Sequence, residues 1–139
     1  MQEIKDNLPA MLSVASRIES EYGEKYQFVI AGAPSIDSEV YKKHLAKHQA
    51  KDTVKVVHNK TYPLLYHSTA ALVTSGTATL ETALFNVPQI VCYKTPLPRL
   101  FRWGFNNIIK CKYISLVNLI ADREVVQELF ADRFTVDNI

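Results

Sequence analysis

The sequence predicts an α/β fold in which a Rossmann-like parallel sheet carries helices on both faces. Two observations support this prediction. Short apolar runs alternate with segments of helical periodicity at least four times along the chain. The apolar runs are also continuous, without the polar–apolar alternation of a half-exposed strand, and this is typical of parallel strands buried on both faces. With 139 residues, the chain is long enough for one domain with a full core.

Each strand is predicted from a short β-branched or aromatic run, and each helix from apolar residues spaced three or four apart. The predicted strands cover residues 27–31, 54–57, 70–73 and 89–93. The predicted helices cover residues 2–23, 38–48, 61–68, 77–86 and 123–130. Gly23 is expected to end the first helix, and Ser35 or Asp37 to cap the second.

The sequence shows neither a secretory signal nor a membrane-spanning run, so we expect a cytosolic protein. Sixteen basic and fourteen acidic residues leave a net charge of +2, so the bulk charge gives no argument for nucleic acid as a partner. The apolar runs are far shorter than the roughly 20 residues that span a bilayer. Cys92 and Cys111 match no metal-ligand spacing, and buried free thiols are the simplest interpretation.

The junction between the strand ending near Thr74 and the helix beginning near Thr77 carries the strongest functional signal. Free backbone amides and the positive end of a helix dipole meet there, at the carboxyl edge of a parallel sheet, which suits a phosphate or diphosphate. Ser75, Thr77 and Thr79 would add hydroxyls, and Gly76 would let the backbone approach a ligand closely. The alternative is an ordinary helix capped by Ser75 or Thr77.

Glu81 helps to separate these two interpretations. A capping box would place Ser or Thr three residues before the glutamate, but that position holds Ala78. The carboxylate is therefore free of a capping role. It lies one turn inside the predicted helix, where it is placed to accept hydrogen bonds from two ribose hydroxyls. A solvated surface glutamate is the alternative.

Two longer runs, SGTATLETALFNVPQIVCYK and YISLVNLIADREVVQEL, resemble the lipid-A-disaccharide synthase family, glycosyltransferases of the two-domain GT-B type. The resemblance extends from QEIKDNLPAM to the end of the chain. It implies a hexosyltransferase that moves 2,3-diacylglucosamine from UDP-2,3-diacylglucosamine to 2,3-diacylglucosamine 1-phosphate. Residues 1–139 would be its C-terminal nucleotide-sugar-binding domain, truncated at both ends. No acidic metal-ligand motif is visible, so we expect neither a metal nor a cofactor.

The resemblance also implies roles for single residues. The donor diphosphate would be held by the turn and the first helical residues, and the ribose by Glu81. Asn118 would reach the active-site cleft, and Arg123, at the head of the last helix, would pair with the diphosphate. Glu128 matches the family as well, with a structural role. The residues implied for the diphosphate are Ser75, Gly76, Thr77 and Ala78, and Thr79 is a further substrate-binding candidate through its hydroxyl.

Parts of the family pattern are absent from this sequence. A Gly-Ser-Arg turn would precede Gln2, and an N-terminal domain would bind the acceptor and supply the catalytic base. The chain alone is therefore expected to be inactive. That domain, a membrane surface and a second copy of the chain are the further partners we expect, with the protein peripheral on the inner face of a bacterial inner membrane.

The segment 94–112 interleaves basic side chains with an apolar helical face. It suits contact with an anionic membrane, or packing of the apolar face on the sheet or on the missing domain. Two other functions stay open at this point. One is another GT-B-like UDP-sugar enzyme, an epimerase or transferase. The other is a non-catalytic nucleotide-binding domain.

Overall fold

The computed structural model describes residues 2–48, 53–74, 76–94, 112–130 and 133–139. The chain forms two compact units, Met1–Leu64 and Leu65–Ile139. Helices and strands follow one another in the order α1 (Gln2–Tyr22), β1 (Phe28–Gly32), α2 (Ser38–Leu45), β2 (Val54–His58), α3 (Thr61–His67), β3 (Ala71–Thr74), α4 (Thr77–Leu84), β4 (Gln89–Tyr93), α5 (Leu116–Ala121) and β5 (Gln127–Phe130). Short 3-10 turns cover Gly23–Lys25 and Val136–Asn138.

In the first unit, helices α1 and α2 pack against a two-stranded parallel sheet. Strand β1 pairs with β2 in a register that runs from Phe28 opposite Val54 to Gly32 opposite His58. The α1 side chains that enter the core are spaced three or four apart, as an amphipathic helix requires. The buried core consists of Leu8, Leu12, Ala15, Tyr41, Leu45 and Val54. Asp37 caps α2 by accepting a hydrogen bond from the Glu39 amide at 2.9 Å.

The carboxyl end of this small sheet is closed by His58, whose ring lies directly over Gly32. A Cβ built on Gly32 would stand 2.5 Å from Cε1 of His58, far inside van der Waals contact. The ring of Tyr41 meets that of His58 edge to face at 5.7 Å, and the Tyr41 hydroxyl accepts a hydrogen bond from the Ala33 amide at 2.9 Å. A side chain at position 32 would therefore have to displace the His58 ring from its contact with Tyr41.

Replacing Gly32 by alanine is therefore expected to lower the free energy of unfolding by about 1–3 kcal/mol, the usual effect of overpacking. Urea denaturation measures the change. The double variant Gly32→Ala/His58→Ala is the control, because removing the imidazole should recover most of the loss. A single variant that unfolds at the same urea concentration as the original chain would show that the contact is not limiting.

In the second unit, β3, β4 and β5 form a three-stranded parallel sheet in that order. Ala71 lies opposite Gln89 in the first pairing, and Ile90 lies opposite Gln127 in the second. The buried apolar residues described here are Leu65, Val73, Val87, Val91, Cys92, Leu129 and Phe134. The Cys92 thiol is fully buried, as expected for a free core cysteine, and burial raises its pKa to about 12. Cys111 lies outside the described residues.

The α/β class and the parallel pairing predicted from the sequence are confirmed, with the strands in two small sheets. The four predicted strands are each correct to within one residue at both ends. Gly23 ends α1 with a φ of 64°, as predicted. Among the described residues, no helix is long and apolar enough to cross a membrane. The segment 94–112 falls almost wholly outside the described residues.

The helix predicted for residues 123–130 is wrong. Residues Gln127–Phe130 form strand β5 instead, and the helix α5 precedes it at Leu116–Ala121. The run EVVQELF fits helical spacing, but its two adjacent valines also favour extended backbone. Pairing with β4 decides between the two, because the ladder of backbone hydrogen bonds outweighs a weak helical preference.

Candidate functional site

Helix α4 begins with an open N-terminus just beyond the carboxyl end of β3. Its N-cap residue is Gly76, with φ 116° and ψ −161°, and no side chain of the described residues caps the helix. Gly76, Thr77 and Ala78 are all exposed. The alternative in which Thr77 serves as an ordinary side-chain cap is therefore wrong, while Ser75 lies outside the described residues. No side-chain cap from the described residues competes with an anion for the first amides of α4.

Thr79 does not face this opening, contrary to the prediction that its hydroxyl contacts a ligand. Its side chain is fully buried, at 0% exposure. The hydroxyl donates a hydrogen bond to the Gly76 carbonyl at 2.8 Å, and the Thr79 amide reaches the same carbonyl at 3.2 Å. Thr79 therefore supports the turn from inside and cannot touch a bound ligand.

Glu81 lies one turn further along α4 and is half-buried. Its side chain makes no hydrogen bond or ion pair with any of the residues that the structure describes. The oxygens of the Glu81 carboxylate can therefore accept hydrogen bonds from a ligand or from water. The geometry thus leaves open the ribose-binding role expected from the sequence.

Helix α5, by contrast, has its N-terminus filled by the protein itself. The Glu128 carboxylate accepts hydrogen bonds from the amides of Ile114 and Ser115, each at 2.9 Å, and from the Ser115 hydroxyl at 2.7 Å. Ser115 in turn caps the helix by accepting from the Asn118 amide at 3.3 Å. A negative charge at this helix end is stabilising. The structural role expected for Glu128 fits this geometry.

Asn118 lies inside the same network, and not at a cleft as the sequence led us to expect. The residue is 0% exposed. Its Nδ2 donates to the Val126 carbonyl and to Glu128, both at 2.8 Å. Its Oδ1 accepts from the amides of Val125 and Val126 at 2.8 and 3.0 Å. Every polar atom of the side chain is occupied, so Asn118 acts here as a structural bracket between α5 and β5.

Arg123 is not at the head of a helix, because the next element along the chain is strand β5 at Gln127–Phe130. It is exposed and follows Asp122, the left-handed C-cap of α5. Strand β5 is parallel to its neighbours and begins only at Gln127, so the residues before it lie toward the amino edge of the sheet. Helix α4 begins beyond the carboxyl edge. The predicted pairing of Arg123 with a diphosphate at α4 is therefore not supported within this unit.

The second unit also has an apolar groove of about 410 Å³ between α4 and α5. Leu84 is 85% exposed and Ile120 is 72% exposed along it. Because a nucleotide requires polar partners for its phosphates and hydroxyls, this groove is not the candidate site. The lining residues are Leu80, Ala83, Leu84, Val117, Ile120 and Ala121.

Fold and site together define the class of protein. It is an α/β protein with parallel strands, in which the uncapped N-terminus of α4 lies at the carboxyl edge of its sheet. In open α/β sheets this is the position that receives nucleotide phosphates.

Comparison with known proteins narrows this class to a family. The whole chain, residues 1–139, matches the family model described as lipid-A-disaccharide synthetase. A lipid-A-disaccharide synthase of Anaeromyxobacter sp. (strain K) is 37% identical over 127 residues, which cover 91% of this chain and 32% of that protein. The corresponding protein of Myxococcus xanthus is 34% identical over 139 residues, covering 100% of this chain and 35% of that protein. The chain belongs to the lipid-A-disaccharide synthetase family.

A third relative is similar over about the same share of its length. The lipid-A-disaccharide synthase of Acidobacterium capsulatum is 32% identical over 152 aligned residues, covering 99% of this chain and 36% of that protein. The chain thus spans about a third of the length of the curated relatives it matches.

Proposed function

We propose that this chain supplies the donor site of a glycosyltransferase that forms the lipid A disaccharide. The donor is UDP-2,3-diacylglucosamine, the acceptor is 2,3-diacylglucosamine 1-phosphate, and the products are the disaccharide 1-phosphate and UDP. Membership of the lipid-A-disaccharide synthetase family supports the reaction class. The observation that carries the site is the uncapped N-terminus of α4.

The diphosphate is assigned to the first turn of α4. Gly76, Thr77 and Ala78 are exposed there, and no acidic residue lies in the first turn. An anion at a helix N-terminus gains about 0.3–1 kcal/mol from the dipole, and up to about 2 kcal/mol when partly buried. The backbone amides add directed hydrogen bonds to this attraction. Ser75 belongs to the proposed cradle by its place in the sequence, outside the described residues.

The ribose is assigned to Glu81. Glu81 is four positions after Thr77, so it lies about 6 Å further along the helix axis at a rise of about 1.5 Å per residue. That spacing suits a ribose attached to a diphosphate at the helix end. A carboxylate accepts from two vicinal hydroxyls at once, which fixes the ring and distinguishes a ribonucleotide from inorganic diphosphate.

The proposed reaction is a direct displacement. A base removes the proton from the acceptor hydroxyl, the hydroxyl oxygen attacks the anomeric carbon, and the bond from that carbon to the diphosphate breaks as UDP leaves. This chain stabilises the negative charge that grows on the departing diphosphate, through amides already pointing toward it. The base and the acceptor site are assigned to an N-terminal domain, within the two-thirds of the relatives' length that this chain does not match.

Acyl chains on both sugars also fit a peripheral position at the inner face of a bacterial inner membrane. Sedimentation of the chain with anionic lipid vesicles tests that position. A chain that stays entirely in the supernatant at low salt would count against it.

Titration of UDP into the chain tests the donor site. We expect localised backbone amide shifts at Thr77, Ala78 and Glu81, and binding that weakens about tenfold in Glu81→Gln, the loss of one charge-assisted hydrogen bond. Inorganic diphosphate is the matched probe, because it lacks the ribose and its affinity should not respond to Glu81→Gln. Glu39→Gln is the control variant, since Glu39 is an exposed helical glutamate in the other unit. Absence of shifts at millimolar UDP would contradict the proposed site.

A further inference from the structure

The carbonyl of Gly76 is held by two donors from one residue. The Thr79 hydroxyl donates to it at 2.8 Å, and the Thr79 amide donates at 3.2 Å. Thr79 is 0% exposed, so water does not compete readily for these contacts. The orientation of the Gly76 carbonyl is therefore fixed from the interior side of the turn.

Fixing this carbonyl also fixes the amide of the next residue. The Gly76 carbonyl and the Thr77 amide belong to one planar peptide unit, and in a trans peptide the two groups point in opposite directions. No cis peptide bond occurs among the described residues. Because the carbonyl is drawn toward the first turn of α4, the Thr77 N–H is directed away from it, out of the exposed helix end.

We propose that Thr79 is a positioning residue whose hydroxyl holds the Thr77 amide in the orientation that receives the donor diphosphate. The inference rests on the proposed function for the identity of the ligand. It gives Thr79 a role other than the direct contact expected from the sequence. A hydrogen-bond donor that is oriented before the ligand arrives needs no reorganisation during the reaction, and this makes its stabilisation of charge effective.

Gln89 extends this arrangement into the sheet. Its Nε2 donates to the Thr79 carbonyl at 2.9 Å, and Gln89 is the first residue of β4, opposite Ala71 of β3. Its Oε1 is buried without a hydrogen-bond partner among the described residues. Such an oxygen costs stability unless another contact offsets it. The hydrogen bond from Gln89 Nε2 to the Thr79 carbonyl is the contact that offsets this cost, and it connects the first turn of α4 to strand β4.

The chain contains a matched control for this proposal. The Thr82 hydroxyl donates to the Ala78 carbonyl at 2.8 Å, and Thr82 is 3% exposed. Thr79→Val and Thr82→Val therefore remove equivalent buried hydroxyls from the same helix. Only Thr79 acts on the peptide that carries the Thr77 amide, and Thr79→Ser keeps the hydroxyl.

The experiment has two readouts for these variants: the residual dipolar coupling of the Thr77 N–H without ligand, and the affinity for UDP. Both valine variants should unfold at a similar, lower urea concentration. Only Thr79→Val should change the Thr77 coupling and weaken UDP binding, by about fivefold, which corresponds to roughly 1 kcal/mol. Thr79→Ser should restore both values.

Two results would overturn the inference. One is an unchanged Thr77 coupling in Thr79→Val, and the other is an equal loss of UDP affinity in the two valine variants, which would mean a general loosening of α4. Failure of the original chain to bind UDP would instead contradict the proposed function. The coupling measured without ligand would still decide whether Thr79 orients the amide.

Discussion

Replacing Glu128 by alanine is expected to lower the free energy of unfolding by about 3 kcal/mol. The carboxylate accepts from the amides of Ile114 and Ser115, from the Ser115 hydroxyl and from Asn118 Nδ2. Ser115 and Asn118 are both 0% exposed, so the amide and hydroxyl of Ser115 and one of the two N–H groups of Asn118 Nδ2 would lose their acceptor away from water; the other N–H keeps the Val126 carbonyl. Each such group costs about 1–3 kcal/mol. The total stays below the sum because Glu128 is half-buried and water can reach part of the space.

Chemical denaturation measures this loss, and two variants sharpen it. Glu124→Ala removes an exposed carboxylate four residues earlier and should change stability by no more than about 0.5 kcal/mol. Glu128→Gln keeps one acceptor oxygen but turns an NH2 group toward other donors, so it should fall between the two. Equal stability of the Glu124 and Glu128 alanine variants would show that the network around Asn118 does not hold α5 to β5.

The sequence predicts strands β1 to β4 well because each is a local apolar run with turn residues on both sides. Strand β5 is not marked by a local pattern of this kind. Its residues Gln127–Phe130 form a strand because they pair with β4. The Glu128 carboxylate also accepts hydrogen bonds from the amides of Ile114 and Ser115, which lie 14 and 13 residues earlier in the chain. Spacing within EVVQELF cannot reveal a contact that is distant in sequence, so the segment was predicted as a helix.

The face of α4 is a second case in which pattern and structure disagree. Leu84 is 85% exposed, while Thr79 and Thr82 are 0% and 3% exposed. Hydrophobic periodicity would have placed the leucine inside and the threonines outside. Both threonine hydroxyls bond to backbone carbonyls of their own helix, so burying them leaves no polar group unsatisfied. The sequence therefore predicts a candidate site on the strand–turn–helix but cannot separate exposed residues from supporting ones.

The same limit applies to Asn118 and Arg123. A polar residue type in a family-like run predicts a role near the site, but burial and connectivity decide what that role is. Asn118 is enclosed by backbone groups of Val125 and Val126, whereas Arg123 is exposed before β5. The assignment of Asn118 depended on the match of its segment to the family, whereas that of Arg123 also depended on a helix at residues 123–130, where the structure has strand β5.

Gly76→Ala is the variant expected to separate binding from folding most clearly. At φ 116° and ψ −161°, the residue lies in a region that is essentially restricted to glycine, where an L-residue costs about 1–3 kcal/mol. Apart from its chain neighbours and the adjoining helix backbone, no atom of the described residues lies within 4 Å of a Cβ built at this position, so the cost comes from the backbone conformation. The alanine variant relieves that strain by rotating the peptide, which turns the Thr77 amide away and should abolish measurable UDP binding.

Gly23 provides the matched control for this variant. It also has a positive φ, 64°, and open space around a built Cβ, but it lies in the left-handed region that other residues enter at about 1–2 kcal/mol. Gly23→Ala should therefore lower stability slightly and leave UDP affinity unchanged. D-Alanine at position 76, introduced by ligation of synthetic segments, is the decisive form. The backbone there is the mirror image of ordinary extended L-residue backbone, so the D-residue should restore UDP binding that the L-residue removes. If L- and D-alanine reduced binding equally, added bulk would be the cause, and the conformation of Gly76 would not be what shapes the site.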